Sequence, residues 1–453
     1  MRALRLFLSS ALCLGMMAIT MPAAAQTDGA GNNLEPFGWA TCSTPDGTAY
    51  AMNGGEGNDN PRRTVLYATG NDRQKVVNAI SNFDIIILDG SQGDFVFDKS
   101  ATSSNARNKT IVGRNNARLC TQWVLTPEIK AALEAANLDQ YSTQAGSGGT
   151  LSNGKTVGEA CELHTRQLLI DLTGDSQENY RNAGIFIMNS SDENIIIRNL
   201  TFVGPGSVDI GGADLISNNG GTHVWIDHCE FIDGMDGNLD SGYREGNPQF
   251  VTYSWNVFRY TERSFSHPLS NGIFWRDNNL QYVTFAYNIW GNGCKGRMPW
   301  GRGMRLHALN NYYNCPNNNF CIGLADGSQA LAEGNYAENG VKNPFRPGNG
   351  SDNLYVLRQN VNFGTYSNKK NTDQSLEVPY PYTFFSPEQV PEILQATQGA
   401  GATLDNVLTG IKEASNDKKE EKAACYNAAG QLIGQHTQGI IIKSGKSFYN
   451  KQI

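Results

Sequence analysis

Six short segments in the middle of this chain repeat one pattern, and the repeat limits what the chain can fold into. They are ENIIIRNLTF (193–202), THVWIDHCEF (222–231), QFVTYSWNVF (249–258), QYVTFAYNIW (281–290), MRLHALNNYY (304–313) and a weaker QALAEGNYAE (329–338). Each alternates apolar with polar residues, as a strand does. Most reach an Asn shortly before an aromatic residue. The closing aromatics Phe202, Phe231, Phe258, Trp290 and Tyr313 are 29, 27, 32 and 23 residues apart. One strand-turn unit per period of this length describes a solenoid, in which each coil buries its apolar face against the next. The Leu-x-x-Leu-x-Leu frame of leucine-rich repeats is absent, and a β-sandwich would give this spacing only by coincidence. The pattern predicts an all-β, single-stranded parallel β-helix with variable loops on one side. Asn suits the bends, because it tolerates left-handed backbone and its amide can bond the Asn above and below.

Composition supports one extended β domain over several smaller ones. The 49 Gly, 18 Tyr and 19 Phe and the scarcity of long amphipathic helical patterns read as strands joined by many turns. The flanks are less regular. TPEIKAALEAANL (126–138) reads as a short capped helix, and GSGGTLSNG (146–154) as a flexible loop.

Residues 1–25 carry Arg2 and Arg5, an apolar run from Leu6 to Met21, and Pro22-Ala23-Ala24-Ala25 before Gln26. That is a signal-peptide pattern, and the run is short for a membrane span. Cys13 follows Leu12 and not a small residue, which disfavours a lipoprotein anchor. The expected organisation is a signal peptide at 1–25, one domain at 26–410, a polar linker at 411–424 and a small β-rich tail at 425–453. No other segment is long and apolar enough to cross a bilayer.

The whole chain has a formal charge of −7, and losing Arg2 and Arg5 makes it −9. Phosphate binding usually needs a basic face, so nucleic acid is not the expected partner. Eight cysteines remain after residue 25, at 42, 120, 161, 229, 294, 315, 321 and 425. An even number in an exported chain fits disulfides, and Cys315 with Cys321 would close the smallest loop. No spacing is CxxC, so a zinc ribbon has little support.

Two local charge patterns stand out. Asp214 lies in GGADLIS, and Asp227, Asp233, Asp236 and Asp240 lie in WIDHCEFIDGMDGNLDSG. Surrounding glycines let the backbone turn and gather carboxylates, a hard-oxygen set suited to Ca2+. The frame is not that of an EF-hand, and Asp-Gly pairs also serve as plain turns. On neighbouring coils, Asp214 and the Asp236/Asp240 pair could share one ion. Asp227-His228 lies within a strand beside Trp225 and reads as a buried hydrogen-bonded pair. The second pattern is KGRMPWGRGMR (295–305), with one Lys, three Arg and no acid. It fits a nucleic-acid patch, a solvated face or a site for an anionic substrate, and the overall charge disfavours the first.

These phrases resemble pectate lyases of polysaccharide lyase family 1. NKTIVG (108–113), ENIIIRNLTF, ADLIS, HVWIDHCEF, DGNLD, FVTYSWNVF, YVTFAYNIW and GRMPWGRGMRLHALNNYY occur in the family's order. The WIDH phrase, followed by R-x-P-x-x-R and NNYY, is the specific part. The resemblance implies a right-handed parallel β-helix and Ca2+-dependent β-elimination of polygalacturonate. It implies Asp214, Asp236 and Asp240 as metal ligands, with Gly212 standing where some members carry a further acid. It implies Arg297 as the base and Arg302 as a substrate-binding residue. Arg263 takes the place of a substrate-binding Lys, with His267 as a rival. The tail from 425 resembles sorting signals of type IX secretion in Bacteroidetes-like bacteria. A secreted, monomeric enzyme acting on de-esterified pectin is the resulting expectation.

The chemistry has its own reasons for these residue types. Removing the C5 proton beside a carboxylate adds negative charge to an anionic group, which Ca2+ and guanidinium groups can offset. Arginine normally stays protonated to above about pH 12, so an arginine base implies an alkaline optimum. Pro299 would help fix the loop that aims Arg297. A hydrolase on the same fold would use carboxylates as acid and base. The Gly-His-Gly and Arg-Ile-Lys phrases of polygalacturonases are absent. A pectin lyase would tend to replace the metal acids. A binding-only β-helix would have little need for Arg297 beside three acids.

Overall fold

The computed structural model describes residues 35–136, 150–206, 214–242, 248–261, 273–274, 281–348, 352–370, 376–404 and strands within 425–450. The chain divides into two compact units, 1–410 and 411–453. The first is a right-handed parallel β-helix. Three sheets run along it, one of ten strands and two of eight, and their neighbours pair in parallel. Sheet I is the ten-stranded one and includes Glu193–Arg198, Thr222–Asp227, Gln249–Ser254, Gln281–Ala286 and Met304–Leu309. Sheet II includes Ile216–Asn219, Leu239–Gly242, Ile273–Phe274, Trp300–Arg302 and Ile322–Ala325. Sheet III includes Thr201–Val203, Glu230–Ile232, Val257–Arg259, Ile289–Trp290 and Tyr312–Tyr313.

Each repeated phrase therefore holds two strands and not one. A phrase runs through sheet I, turns, and enters sheet III. The aromatic at its end points into the core, where ring centroids stack at 5.0 Å for Phe202–Phe231 and Phe231–Phe258, and 4.3 Å for Phe258–Trp290. All four rings are fully buried. Burying each contributes roughly 1.5–3 kcal/mol, and stacking holds the coils in register.

The Asn before each aromatic forms a ladder. Asn288 Oδ1 accepts from Asn256 N, Asn311 Oδ1 from Asn288 N, and Asn335 Oδ1 from Asn311 N, at 2.9 to 3.1 Å. The side-chain amides add a parallel set of bonds. The left-handed backbone expected of these Asn residues falls one position earlier. It is found at Trp255, Tyr287 and Asn310, with φ of 54°, 59° and 47°. The ladder Asn is needed for its amide, and the preceding residue bears the bend.

Two further segments cover sheet I. In the first, Trp39 N donates to Thr284 Oγ1 and Ala40 N to Thr252 Oγ1. In the second, Tyr380 OH meets Thr284 Oγ1 at 2.7 Å and His307 Nδ1 at 2.9 Å. The helix Arg73–Asn82 packs Val76, Ala79 and Ile80 against the first coils, so the core does not end in an open edge. The expected helix at 126–138 spans Pro127–Ala136, with Thr126 Oγ1 accepting from Ile129 N. A second helix, Val157–Thr173, was not anticipated; Leu169 joins Ile129, Leu133 and Met235 in one buried cluster.

The second unit is a four-stranded antiparallel sheet, Cys425–Asn427, Leu432–Ile433, Gly439–Lys443 and Lys446–Asn450. The expected signal peptide, the linker at 411–424, Gly212, Arg263 and His267 lie outside the described residues. No helix among the described residues is long and apolar enough to cross a membrane. Cys42, Cys120, Cys229, Cys315 and Cys321 are unbridged thiols, so the expectation of disulfides is not met at these positions. Cys315 and Cys321 are instead neighbouring, hydrogen-bonded groups in the core.

Candidate active site

Two loops lead into sheet II, and each carries one of the charge patterns. The first, 233–238, is held from several sides. Asp233 Oδ1 accepts from Thr261 N at 2.7 Å, and Asn238 Oδ1 accepts from Gly234 N at 3.0 Å. A Cβ on Gly234 would lie 1.9 Å from Gly237 O, so the turn excludes other residues. Met235 is fully buried against the helix pair and anchors the loop from behind.

Strand register then fixes the carboxylates. Ser217 pairs with Asp240, and Leu215 N donates to Gly237 O at 3.2 Å. Asp214 therefore lies beside the 236–237 turn of the next coil, and Asp240 lies across from Ser217. Asp214 is buried, and its Oδ1 accepts no hydrogen bond; Oδ2 receives only a long contact from Ser217 Oγ at 3.5 Å. Burial raises its pKa well above the ordinary carboxylate range, and the charges of Asp240 and Asp236 raise it further. Among the described residues, no three Asp, Glu, His or Cys side chains gather closely enough to hold a metal by themselves.

The second loop carries Arg297, at φ +60°, and then enters the strand Trp300–Arg302. A left-handed non-glycine residue costs of order 1–3 kcal/mol and persists only when its surroundings hold it. Here the next coil does so. Met298 N donates to Cys321 O at 3.0 Å, Gly323 N to Pro299 O at 2.9 Å, and Asn319 N to Lys295 O at 2.6 Å. Tyr313 OH donates to Met298 O at 3.1 Å.

Trp300, which sequence reasoning did not single out, links the two arginines. The Arg302 guanidinium lies 4.5 Å from its ring centroid and that of Arg297 lies 5.5 Å away. Gly323 makes room for the indole, since a Cβ there would lie 2.5 Å from Trp300 Cδ1. The arginines were expected to cluster away from acids, but Arg302 Nε lies 3.2 Å from Asp326 Oδ2. Asp326 belongs to the following coil, so its proximity is hidden in the linear sequence. Arg305 points to a different face, with its guanidinium 5.9 Å from the Trp39 ring.

The two loops meet through sheet II. Asp240 pairs with Ile273, and Ile273 pairs with Trp300. Two strand spacings separate carboxylate loop and arginine loop, roughly 10 Å. Arg297 enters its strand from the same side as Asp236 enters the strand of Asp240. Asp227 and His228 are elsewhere, buried on sheet I. His228 Nδ1 lies 2.6 Å from Asp227 Oδ2, Arg198 Nε lies 2.9 Å from the same oxygen, and Ser254 Oγ donates to Oδ1 at 2.6 Å. These groups are buried inside the coils.

The carboxylates and arginines thus lie along one sheet of a parallel β-helix, two strand spacings apart. Residues 136–403, more than half of the chain, match the pectate lyase family, and the chain belongs to that family. Pectate lyase A of Aspergillus niger is 29% identical over 230 residues, covering 49% of this chain and 67% of that protein. Pectate lyase 2 of Pectobacterium carotovorum is 28% identical over 273 residues, covering 53% and 69%. Among solved structures, the major allergen of cedar pollen is similar, with a TM-score of 0.51 at 16% identity over 81% of this chain and 92% of that one. That last likeness bears on the fold.

Proposed function

We propose that the chain cleaves polygalacturonate by Ca2+-dependent β-elimination at the sheet II site. The observation that carries this reading is the buried Asp214, repelled by Asp236 and Asp240, on the same sheet as two arginines. Asp214, Asp236 and Asp240 would hold the ion, with its remaining oxygens drawn from substrate and water. Bound there, Ca2+ would supply positive charge beside the substrate carboxylate as the C5 proton leaves. The donor chemistry fits a hard cation, because every side-chain donor in the set is a carboxylate oxygen.

The arginines have separate tasks in this reading. Arg302, set against Trp300, binds a substrate carboxylate. Arg297 takes the C5 proton, the C4–O bond breaks to leave a C4–C5 double bond, and the departing oxygen takes a proton from water. Arg297 must first lose its own proton to solvent, so the reaction runs fastest in alkaline solution. Arg263 completes the substrate contacts. Residues 1–25 direct export, 425–453 act as a sorting tail, and the enzyme works as a secreted monomer.

The test is to incubate the protein with polygalacturonate, with Ca2+ or with excess chelator, and follow the ultraviolet absorbance of the unsaturated product. Absorbance that grows only with Ca2+ supports the reading. New reducing ends without absorbance would point to hydrolysis, and no cleavage at all would favour a binding protein.

A further inference from the structure

The row of sheet II that holds Asp240 and Trp300 continues beyond the arginine loop. Trp300 pairs with Gly323, and Gly323 pairs with Arg346 on the strand Phe345–Arg346. Successive residues of a strand face opposite sides of the sheet. Ile322, Leu324 and Phe345 fill the core, so Gly323 and Arg346 face outward. From Ile273 to Arg346 the row covers three strand spacings, roughly 14 Å. The elimination site uses none of the stretch beyond Trp300.

Gly323 leaves a gap in the row, and two aromatic rings close on it. A Cβ there would lie 2.5 Å from Trp300 Cδ1 and 2.8 Å from Phe320 Cε2. The Arg346 guanidinium lies 5.2 Å from the Phe320 ring centroid, much as that of Arg302 lies 4.5 Å from the Trp300 centroid. Two aromatic rings therefore stand between two guanidinium groups. Phe320 is buried, so its ring backs Arg346 from below. Arg302 has Asp326 beside it, whereas Arg346 is exposed and forms no ion pair among the described residues. The loop leading into its strand carries a second exposed cation, Lys342. Asn318 holds that residue by its backbone, with Lys342 N donating to Oδ1 at 2.7 Å and Nδ2 donating to Lys342 O at 2.8 Å.

A guanidinium set against a ring, with no acid beside it, suits an anion, and its planar fork matches a carboxylate at two points. The substrate of the elimination reading carries a carboxylate on every sugar. A chain that follows the row past Trp300 therefore brings one of them to Arg346. A hexose ring is about as long as one strand spacing, about 4.8 Å, so three sugars cover the distance from Ile273. We propose that Arg346 is a distal substrate-binding residue, which holds the carboxylate of the third galacturonate unit on its side of the scissile bond. The enzyme would then favour chains longer than three units. A trimer lying across the scissile bond has at most two sugars on this side and stops short of Arg346. The position of the scissile bond rests on the elimination reading, but the capture of a polyanion by Arg346 does not require cleavage.

The experiment compares Arg346→Gln with the parent, both as full-length proteins. Arg346 is exposed, so its replacement leaves the core intact. Calorimetric titration with hexagalacturonate in excess chelator reads binding without turnover. The variant should bind the hexamer roughly fivefold more weakly, as expected for one exposed charge pair. The fully methyl-esterified hexamer offers Arg346 no charge and should bind both proteins alike. With Ca2+, initial rates of unsaturated-product formation are measured on hexagalacturonate and trigalacturonate. The variant's KM for the hexamer should rise, narrowing the gap between the two substrates, with the loss in KM and not in kcat. The proposal is overturned if the parent does not bind the hexamer, if the variant binds it like the parent, if the ester loses affinity equally, or if the parent's gap between hexamer and trimer persists. Failure of the parent to form unsaturated product would refute the elimination reading instead, and the titration would still decide the role of Arg346.

Discussion

Asp240 and Trp300 stand in one row of sheet II, joined through Ile273. The row ties the acidic loop to the arginine loop although sixty residues separate the two positions in sequence. If these acids hold Ca2+, removing two of them must weaken the metal dependence. Asp236→Ala with Asp240→Ala should lower activity at limiting Ca2+ and shift the half-saturating concentration upward by at least about tenfold, equivalent to about 1.4 kcal/mol. Activity measured across a calcium series checks this. An unchanged calcium response would remove both residues from the site.

Asp326 competes with substrate for Arg302 in the present account. The pair is partly exposed, so its own stability contribution is small. Asp326→Asn keeps a residue that tolerates the φ of +49° at this position. The variant should lower KM for polygalacturonate severalfold at low salt and less at high salt, with kcat little changed. Steady-state kinetics at two ionic strengths distinguish this from a catalytic effect.

The Asn ladder should carry much of the stability of the coils. Asn288 is fully buried, and its amide receives from Asn256 and donates to Tyr253 O and Asn311. Asn288→Ala leaves several buried backbone groups without partners, each worth roughly 1–3 kcal/mol. Denaturant unfolding should show a loss of about 3 kcal/mol or more, with secondary structure otherwise retained below the transition.

His223 also makes a prediction about pH. Its folded pKa, about 4, is below the ordinary 6.5, so the unfolded chain gains a proton first as pH falls. The stability it contributes is present above pH 6.5 and is lost progressively towards pH 4. The full effect is about 3 kcal/mol. His223→Asn should flatten the unfolding free energy across that window relative to the parent.

Much of the fold was legible because stacked coils repeat a local requirement. Phe202, Phe231 and Phe258 each close a strand-turn-strand unit, so their spacing displays the coil. The left-handed turn was misplaced by one residue because Trp255 and Tyr287, bulky residues at positive φ, carry no turn signature. The helix Val157–Thr173 escaped notice because its apolar face meets Ile129 and Met235, partners set by tertiary packing. In the candidate site, Asp214, Asp236 and Asp240 could be read from Asp-Gly clustering and from family phrases. Trp300 and Asp326 could not, because their roles depend on which residues the coils bring side by side.

The central claim is that Arg297 removes the C5 proton beside the acidic loop. Arg297→Lys keeps a cation but replaces the planar group, which is set against Trp300. The decisive measurement is the rate of unsaturated-product formation from polygalacturonate by this variant at saturating Ca2+ and alkaline pH. The account predicts a fall in kcat of roughly 10²–10⁴-fold with KM nearly unchanged. A variant with the parent's kcat would contradict the assignment of Arg297.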